Sequence, residues 1–150
     1  MIKTFLFACI FSLISCNSLN AIEIKGRENI QDDALMLAIS NYYKYEANKN
    51  WDKTYELRTN GFKSTVPFSL YKRKMSVNSV GWIFQSLNIT DVIYEQNSNV
   101  DIYIEFYSIL NGQHRKYTQR TNWIKSKDKI WEANIPGKRG VFIMNDWVKQ

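Results

Sequence analysis

A two-residue turn between two strand-like runs constrains this chain more than any other feature. Residues 100–110 and 113–123 are rich in β-branched and aromatic side chains, and Asn111-Gly112 lies between them. An Asn-Gly pair favours the type I′ turn of a β-hairpin, because both central residues of that turn need a positive φ. The sequence therefore predicts an antiparallel hairpin with a two-residue loop.

The loop length also sets the register of the two strands, because a slip of one residue would turn every apolar side chain to the wrong face. The predicted partners are Leu110 with Gln113, Phe106 with Tyr117, Ile104 with Gln119, Ile102 with Thr121, and Val100 with Trp123. One face then carries the apolar set: Val100, Ile102, Ile104, Phe106, Leu110, Tyr117 and Trp123. The opposite face carries the polar and tyrosine set: Asp101, Tyr103, Glu105, Tyr107, His114, Lys116, Thr118 and Arg120.

Composition allows one domain with a hydrophobic core. The chain has 150 residues, of which 45% are hydrophobic and 15% aromatic, and this excludes wholesale disorder. Its formal net charge of +6 suits an anionic partner such as a membrane surface or an acidic polysaccharide. Many proteins with the same charge have no such partner, so the charge leaves both alternatives open.

Few residues are available for metal or thiol chemistry. Both cysteines, Cys9 and Cys16, fall at the N-terminus, and the single histidine is His114. We therefore expect no disulfide, no cysteine nucleophile, no metal site and no cofactor. The sequence also contains no G-x-S-x-G motif and no glycine-rich phosphate-binding loop.

The N-terminus has the pattern of a secretory signal peptide. A lysine-containing start, residues 1–4, precedes an apolar run at residues 5–14, which is shorter than the ~20 residues that span a bilayer. The following Leu13-Ile14-Ser15-Cys16 resembles the lipobox of bacterial lipoproteins. The resemblance implies a signal peptide over residues 1–15 and attachment of acyl chains such as palmitate to Cys16.

The resemblance also implies a location. Asn17, rather than an aspartate, follows the cysteine, and this implies a lipid-anchored protein of the bacterial cell envelope, sorted to the outer membrane and facing the periplasm. Nucleic acid is not an expected partner there. The alternative is cleavage after Ala21, which would give a secreted or soluble periplasmic protein.

After the leader, the sequence predicts a tether over residues 16–31 and one domain over residues 32–150. Asp32 and Asp33 are suited to begin a helix that runs to about Asn48. Its apolar stripe consists of Leu35, Ala38, Ile39, Tyr42, Tyr43 and Tyr45. Glu46 falls near the middle of that stripe, either solvated beyond the core or at the mouth of a pocket with a pKa raised by burial.

Further elements follow from turn residues and spacing. We predict a helix over residues 50–58 that is ended by Thr59-Asn60-Gly61, and a third helix over residues 68–75 after Pro67. Residues 76–81 are predicted as a loop, and residues 97–99 and 126–129 as turns. Extended segments are predicted at residues 82–84, 89–95 and 130–135, the last beside residues 122–125, with a further edge strand at residues 141–144.

Two segments and the order of elements resemble the NTF2-like superfamily. Asn50-Trp51-Asp52-Lys53-Thr54-Tyr55-Glu56-Leu57 resembles its second helix, and Trp123-Ile124-Lys125 with Lys129-Ile130-Trp131 resembles its closing hairpin. The resemblance implies an α+β fold, with a long N-terminal helix and two short helices packed in a curved antiparallel sheet. The sheet and helix would enclose a cone with an apolar cavity.

The implied cavity gives two alternatives for the same side chains. The expected lining is Ile39, Tyr42, Glu46, Trp51, Tyr55, Trp82, Phe106, Tyr117 and Trp123. These residues either leave a pocket for a small apolar ligand or fill the core. The same superfamily hosts isomerases and dehydratases, and Glu46 with Tyr42 or Tyr55 is the candidate acid–base combination here.

The outer face of the hairpin is the second candidate site. Tyr103, Glu105, Tyr107, Lys116 and Arg120 are interface candidates, with Glu105 expected between Lys116 and Arg120. We expect a non-catalytic, membrane-tethered domain that binds an envelope protein or an anionic glycan through this face or the cone mouth. Homodimerisation through the sheet face is consistent with the same residues.

Overall fold

The chain folds as an α+β domain with a five-stranded mixed sheet. The structure is a computed structural model, and it describes residues 22–96 and 98–135. The elements, in order, are β1 (Glu23–Lys25), a 3₁₀ turn (Arg27–Asn29), α1 (Asp33–Ala47), α2 (Trp51–Glu56), α3 (Asn60–Thr65), α4 (Phe68–Asn78), β2 (Trp82–Gln96), β3 (Asn99–Leu110), β4 (Gln113–Lys125) and β5 (Trp131–Ala133).

The strand order is β1-β2-β3-β4-β5, and β1 runs parallel to β2 while the other pairs are antiparallel. The expectation of a wholly antiparallel sheet was therefore wrong at this edge. So was the prediction that residues 16–31 are only a tether, because Ile24 pairs with Leu87 inside the sheet. A three-residue strand whose partner lies about 60 residues away leaves no local pattern to detect.

The hairpin is confirmed in every predicted pair. Phe106 lies opposite Tyr117 and Val100 opposite Trp123, and the other three predicted pairs also match. Asn111 and Gly112 have φ values of 51° and 78°, which are the positive values that a type I′ turn requires. The apolar face of β3 is buried against the helices, as the register predicted.

The N-terminal caps explain where the helices begin. The Asp32 side chain accepts hydrogen bonds from the backbone N–H groups of Ala34 and Leu35, at 2.9 and 3.1 Å, and α1 follows it. The predicted second helix is confirmed as α2, but it ends at Glu56, and residues 59–61 do not terminate it as predicted. Thr59 instead caps a further helix, α3, by accepting a hydrogen bond from the N–H of Phe62 at 3.2 Å.

Two other segments are more regular than predicted. α4 extends to Asn78, into the predicted loop, and β2 joins the two predicted segments into one strand of 15 residues. Register shifts near residues 85, 90 and 95 interrupt the pairing of β2 with β3, which is why its sequence does not alternate cleanly. β5 pairs with residues 123–125, close to the prediction.

The core lies between α1 and the inner face of the sheet. Tyr42 packs edge-on against Trp123, with ring centroids 5.8 Å apart, and Tyr43 stacks on Phe84 at 6.1 Å.

The predicted leader, Cys16, the turn residue 97 and the predicted strand at residues 141–144 lie outside the described residues.

Candidate functional site

A carboxylate lies inside the core at the last turn of α1. Glu46 follows Ile39 and Tyr42 along the helix face that packs on the sheet, and its side chain is 6% exposed. The helical spacing that placed Glu46 in the apolar stripe thus predicted its orientation. The solvated alternative is wrong for this residue.

A buried arginine accompanies it. Arg58 follows α2, and its backbone is held beside β5 by hydrogen bonds of Ala133 to Leu57 (2.8 Å) and Thr59 to Ala133 (3.3 Å). This pairing directs the side chain inward, where its guanidinium lies 3.8 Å from the ring centroid of Phe62. Its exposed fraction is 0%, so a full charge is enclosed in the protein.

Arg58 donates hydrogen bonds to the hydroxyl of Tyr42, at 3.3 Å, and to the backbone carbonyl of Ile135. Its Nε is buried and has no hydrogen-bond partner among the described residues. The Tyr71 hydroxyl donates to Thr54 at 3.0 Å, beside the same group. Tyr42, Glu46, Thr54, Arg58 and Tyr71 are called the buried polar cluster below.

Burial controls the proton affinities in this cluster. Desolvation raises the pKa of Glu46 to about 7, although the positive charge of Arg58 acts in the opposite direction. Burial also raises the pKa of Tyr42 well above its usual value and that of Tyr71 to about 12. Glu46 can therefore exchange a proton near neutral pH, while both phenols keep theirs.

The structure brings Glu46 and Tyr42 together and leaves Tyr55 apart. The Tyr55 hydroxyl donates to the backbone carbonyl of Val66 at 2.7 Å, and its ring packs against Phe68 at 5.2 Å. Tyr55 therefore joins α2 to the α3–α4 connection, and it is not available as an acid partner of Glu46. Sequence spacing missed Arg58, because its inward orientation depends on β5.

Most of the predicted pocket-lining residues belong to one hydrophobic core cluster. Trp82 contacts Phe84 edge-on at 5.5 Å, and Phe84 contacts Phe106 at 5.7 Å. The members that were predicted to line a pocket and lie in this cluster are Ile39, Tyr42, Trp51, Trp82, Phe106 and Trp123, with Tyr55 and Tyr117 half-buried against it. Their mutual contacts fit the core-filling alternative.

The outer face of the sheet carries the predicted interface residues in fixed pairs. Lys116 forms an ion pair with Glu105 at 2.8 Å, and the Tyr107 hydroxyl donates to Glu105 at 3.3 Å. This pairing lowers the pKa of Glu105, chiefly through the hydrogen bond from Lys116. Glu105 is therefore held as a carboxylate on this face.

Arg120 does not bind Glu105 as expected. It pairs instead with Asp101, and more distantly with Glu95 at 3.6 Å. Asp101 also accepts a hydrogen bond from Asn122 at 3.0 Å, and it is 2% exposed although it lies on the outer face. Sequence reasoning placed Asp101 on this face and did not single it out. The signal that could have identified Asp101 was the presence of three polar partners at neighbouring positions of β4 and β2.

Two open depressions flank these pairs. One, of about 400 Å³, is lined by Thr90, Tyr103, Glu105 and Arg120 among others. The second, of about 430 Å³, lies between β1 and β3 and includes Lys25, Ser86 and Tyr107. The outer face of β2–β4 thus has recesses bordered by charged and aromatic side chains, which is typical of binding surfaces.

Within residues 22–96 and 98–135, no group of three or more His, Cys, Asp or Glu side chains is placed to hold a metal ion. In the same residues, none of the helices has the length and hydropathy needed to cross a bilayer.

The fold and sites define an α+β domain with a mixed sheet, a closed polar core and an open outer face. No protein-family model matches the sequence, and no curated protein matches it. The structure is similar to the solution structure of a SEC-C motif containing protein from Rhodopseudomonas palustris, with a TM-score of 0.54 and 14% identity. The match covers 69% of this chain and 74% of that protein, and at this identity the likeness concerns the fold alone.

The assignment to the NTF2-like superfamily was therefore wrong. The fold is shared with a SEC-C motif protein, and nothing in the comparisons supports an NTF2-like relationship. Element order and scattered aromatic residues are shared by unrelated folds, so they could not identify a family. The prediction of an isomerase or dehydratase depended on that resemblance, which therefore no longer supports it.

Proposed function

We propose that this protein is a non-catalytic binding domain, tethered to a bacterial cell envelope by acyl chains on Cys16, that binds a partner protein through the outer face of β2–β4. The observation that carries the proposal is the set of fixed ion pairs around the recess at Tyr103 and Arg120. Exposed arginine and tyrosine side chains are enriched in protein interfaces.

The interior supports a binding role over a catalytic one. The carboxyl of Glu46 has a pKa near neutral, and it is enclosed with Arg58 in the core. A catalytic base must come within hydrogen-bond reach of its substrate. On the outer face, by contrast, Glu105 is already paired with Lys116, which favours recognition over proton transfer.

The anchor has a direct test with a matched control. Cells that express the full chain are supplied with a labelled palmitate analogue, and the Cys16→Ser and Cys9→Ser variants are compared with wild type. We expect label on wild type and on Cys9→Ser and none on Cys16→Ser. Equal labelling of both variants, or an unlabelled wild type, contradicts the lipoprotein assignment.

The binding face is tested by photo-crosslinking in the same cells. A photo-reactive amino acid replaces Tyr103 at the recess or, as the control, Leu37, which is 61% exposed on α1. We expect a discrete adduct from position 103 that is lost when Arg120→Glu is added, and none from position 37. An adduct of twice the protein's mass identifies a second copy, and identical patterns at both positions contradict the proposed face.

The raised pKa of Glu46 favours one alternative, an enzyme that uses this carboxyl with Tyr42 in proton transfer. A small apolar ligand bound in the core is a further alternative. Both require a ligand to reach the buried polar cluster. A ligand that protects Glu46 from carbodiimide labelling, and fails to do so in Tyr42→Phe, would favour the enzyme.

A further inference from the structure

We propose that the end of the domain at the Asn111-Gly112 turn lies against the anionic bilayer that holds the anchor. The surface consists of Arg73, Val77, Val80, Ile83, His114 and Arg115, and it is called the hairpin-end surface below. The proposal rests on the lipid anchor proposed above, and it adds the part of the folded domain that contacts the headgroups.

The hairpin-end surface consists of exposed side chains around the connection from α4 to β2 and the hairpin turn. Val77, Val80 and Ile83 are 66%, 72% and 58% exposed, which is unusual for three aliphatic residues so close in sequence. Arg73 and Val77 lie one turn apart on the exposed side of α4, and the N–H of Val80 donates to the carbonyl of Val77 at 3.3 Å.

The turn of the hairpin brings the basic residues to the same place. The N–H of Asn111 donates to the carbonyl of Gly81 at 2.9 Å, so the turn contacts the connection from α4 to β2. Ile83 pairs with Ile109, and Ile109 pairs with His114, which forms a row across the outer face of the sheet. Arg115, the next residue of β4, lies at the same end on the other face. Exposed apolar side chains therefore lie among basic ones.

The charge around this end is one-sided. Residues 72–90 and 106–116, which supply the whole hairpin-end surface, contain five Lys and Arg and no Asp or Glu. The opposite end of the sheet holds Asp91, Glu95 and Asp101. That end also holds Arg120, which pairs with Glu95 and Asp101. An anionic surface therefore attracts the first end more strongly than the second, and apolar side chains at the headgroup level add to the binding.

The direction in which the chain enters the sheet favours the same end. β1 is parallel to β2, and Glu23 pairs with Ser86, so the chain enters the sheet from the side where Trp82 and the hairpin turn lie. Glu23 is seven positions after Cys16 in the sequence, a length of chain that spans at most about 24 Å. A chain of this length is long enough for the acyl chains on Cys16 and the hairpin-end surface to contact the same bilayer.

This contact leaves the proposed binding face accessible. Six residues separate Ile109 from Tyr103 along β3, which corresponds to about 20 Å. The recess at Tyr103 and Arg120 would then stand about that distance above the headgroups, where a partner in the aqueous phase can reach it.

The test uses the lipidated full chain reconstituted in vesicles of phosphatidylethanolamine and phosphatidylglycerol. Single cysteines are introduced as Val80→Cys or, as the control, Leu37→Cys, and each is labelled with an environment-sensitive fluorophore. Lipids with nitroxide groups near the headgroups are the quencher. We expect quenching at position 80 and not at position 37, and loss of the quenching at 1 M salt, where the Debye length is about 3 Å.

A second measurement isolates the protein surface from the anchor. The chain from Asn17 onward, without acyl chains, is titrated with the same vesicles, and we expect Arg73→Gln and Arg115→Gln each to weaken binding about fivefold. Arg27→Gln, at the other end of β1, is the matched control and should change binding little. Equal losses in all three variants contradict the proposed surface.

The outcomes separate the two proposals. A lipidated protein that incorporates into vesicles without quenching at position 80 overturns this inference and leaves the anchor intact. A wild-type chain that takes up no palmitate analogue in cells refutes the anchor, and binding of the unlipidated chain to anionic vesicles, with position 80 protected, still supports the surface. Binding that is equal on phosphatidylcholine vesicles contradicts the role of the basic residues.

Discussion

Replacing Glu46 with glutamine should remove a pH dependence of stability that this one carboxyl creates. The folded protein raises the pKa of Glu46 from its ordinary 4.5 to about 7, because burial disfavours the charged form more than Arg58 favours it. Glutamine has the shape of the protonated acid and no charge. The Glu46→Gln variant should therefore behave as the wild type does at low pH.

The sign and size follow from proton binding. Between about pH 4.5 and 7, folded Glu46 holds a proton that the unfolded chain has lost, so stability falls as the pH rises through this range. The stabilisation is complete below about pH 4.5 and lost above about 7. A difference of between two and three pKa units corresponds to about 3 kcal/mol of unfolding free energy.

The neighbours of Glu46 do not obscure this range. Burial raises the pKa of Tyr42 and Tyr43 well above 10 and that of Tyr71 to about 12, so the three phenols stay protonated. The difference between wild type and Glu46→Gln therefore reports the carboxyl at position 46.

Urea unfolding followed by tryptophan fluorescence measures this difference, on the chain from Asn17 onward at pH 5 to 8. We expect Glu46→Gln to be more stable than wild type by about 1 kcal/mol at pH 5 and by about 3 kcal/mol at pH 8. The control is Glu56→Gln, an exposed carboxyl of α2, which should keep the wild-type slope. Parallel profiles for wild type and Glu46→Gln, or a less stable variant at pH 8, would refute the reasoning.

Two further predictions test the edge strand and the outer face. Gly26→Ala should cost about 3 kcal/mol, because φ is +71° and an added Cβ overlaps the backbone carbonyl of Ile89, whereas Gly112→Ala, with φ of +78° and open space, should cost about 1 kcal/mol. Equal losses in urea unfolding would mean that β1 is not docked. Asp101→Asn should cost about 1–2 kcal/mol at pH 7, where it weakens the ion pair with Arg120, and less as the pH falls through the lowered pKa of Asp101. A loss that does not change with pH would contradict the ion pair.

The hairpin could be predicted from sequence because its determinants are local. Asn111 and Gly112 set the turn, and a two-residue loop leaves one register that buries Phe106 and Trp123 together. The cap at Asp32 is local in the same sense, and so is the helical spacing that directs Glu46 inward. Each of these features is decided within a few residues of chain.

What the sequence did not reveal depends on distant contacts. β1 exists because Ile24 meets Leu87, and Arg58 is buried because Ala133 fixes its backbone from the far end of the chain. The α3 helix was missed for a different reason. Thr59 lies close before Gly61, a residue type that commonly ends helices, and it is also a good N-cap. The local pattern alone did not decide between these two roles.

The buried polar cluster is difficult to explain by stability alone. Enclosing the charge of Arg58 costs free energy, and its Nε has no hydrogen-bond partner among the described residues. Glu46 lies in the same cluster but forms no direct ion pair with Arg58 in the described part of the chain. An apolar pair of similar volume is commonly at least as stable in such a position. An apolar pair would lack the directional hydrogen bonds of Arg58. Its planar guanidinium donates both to Tyr42 of α1 and to the carbonyl of Ile135 beyond β5. The cluster therefore helps to fix how the helices are placed on the inner face of the sheet, and the proposed binding face is the outer side of the same strands.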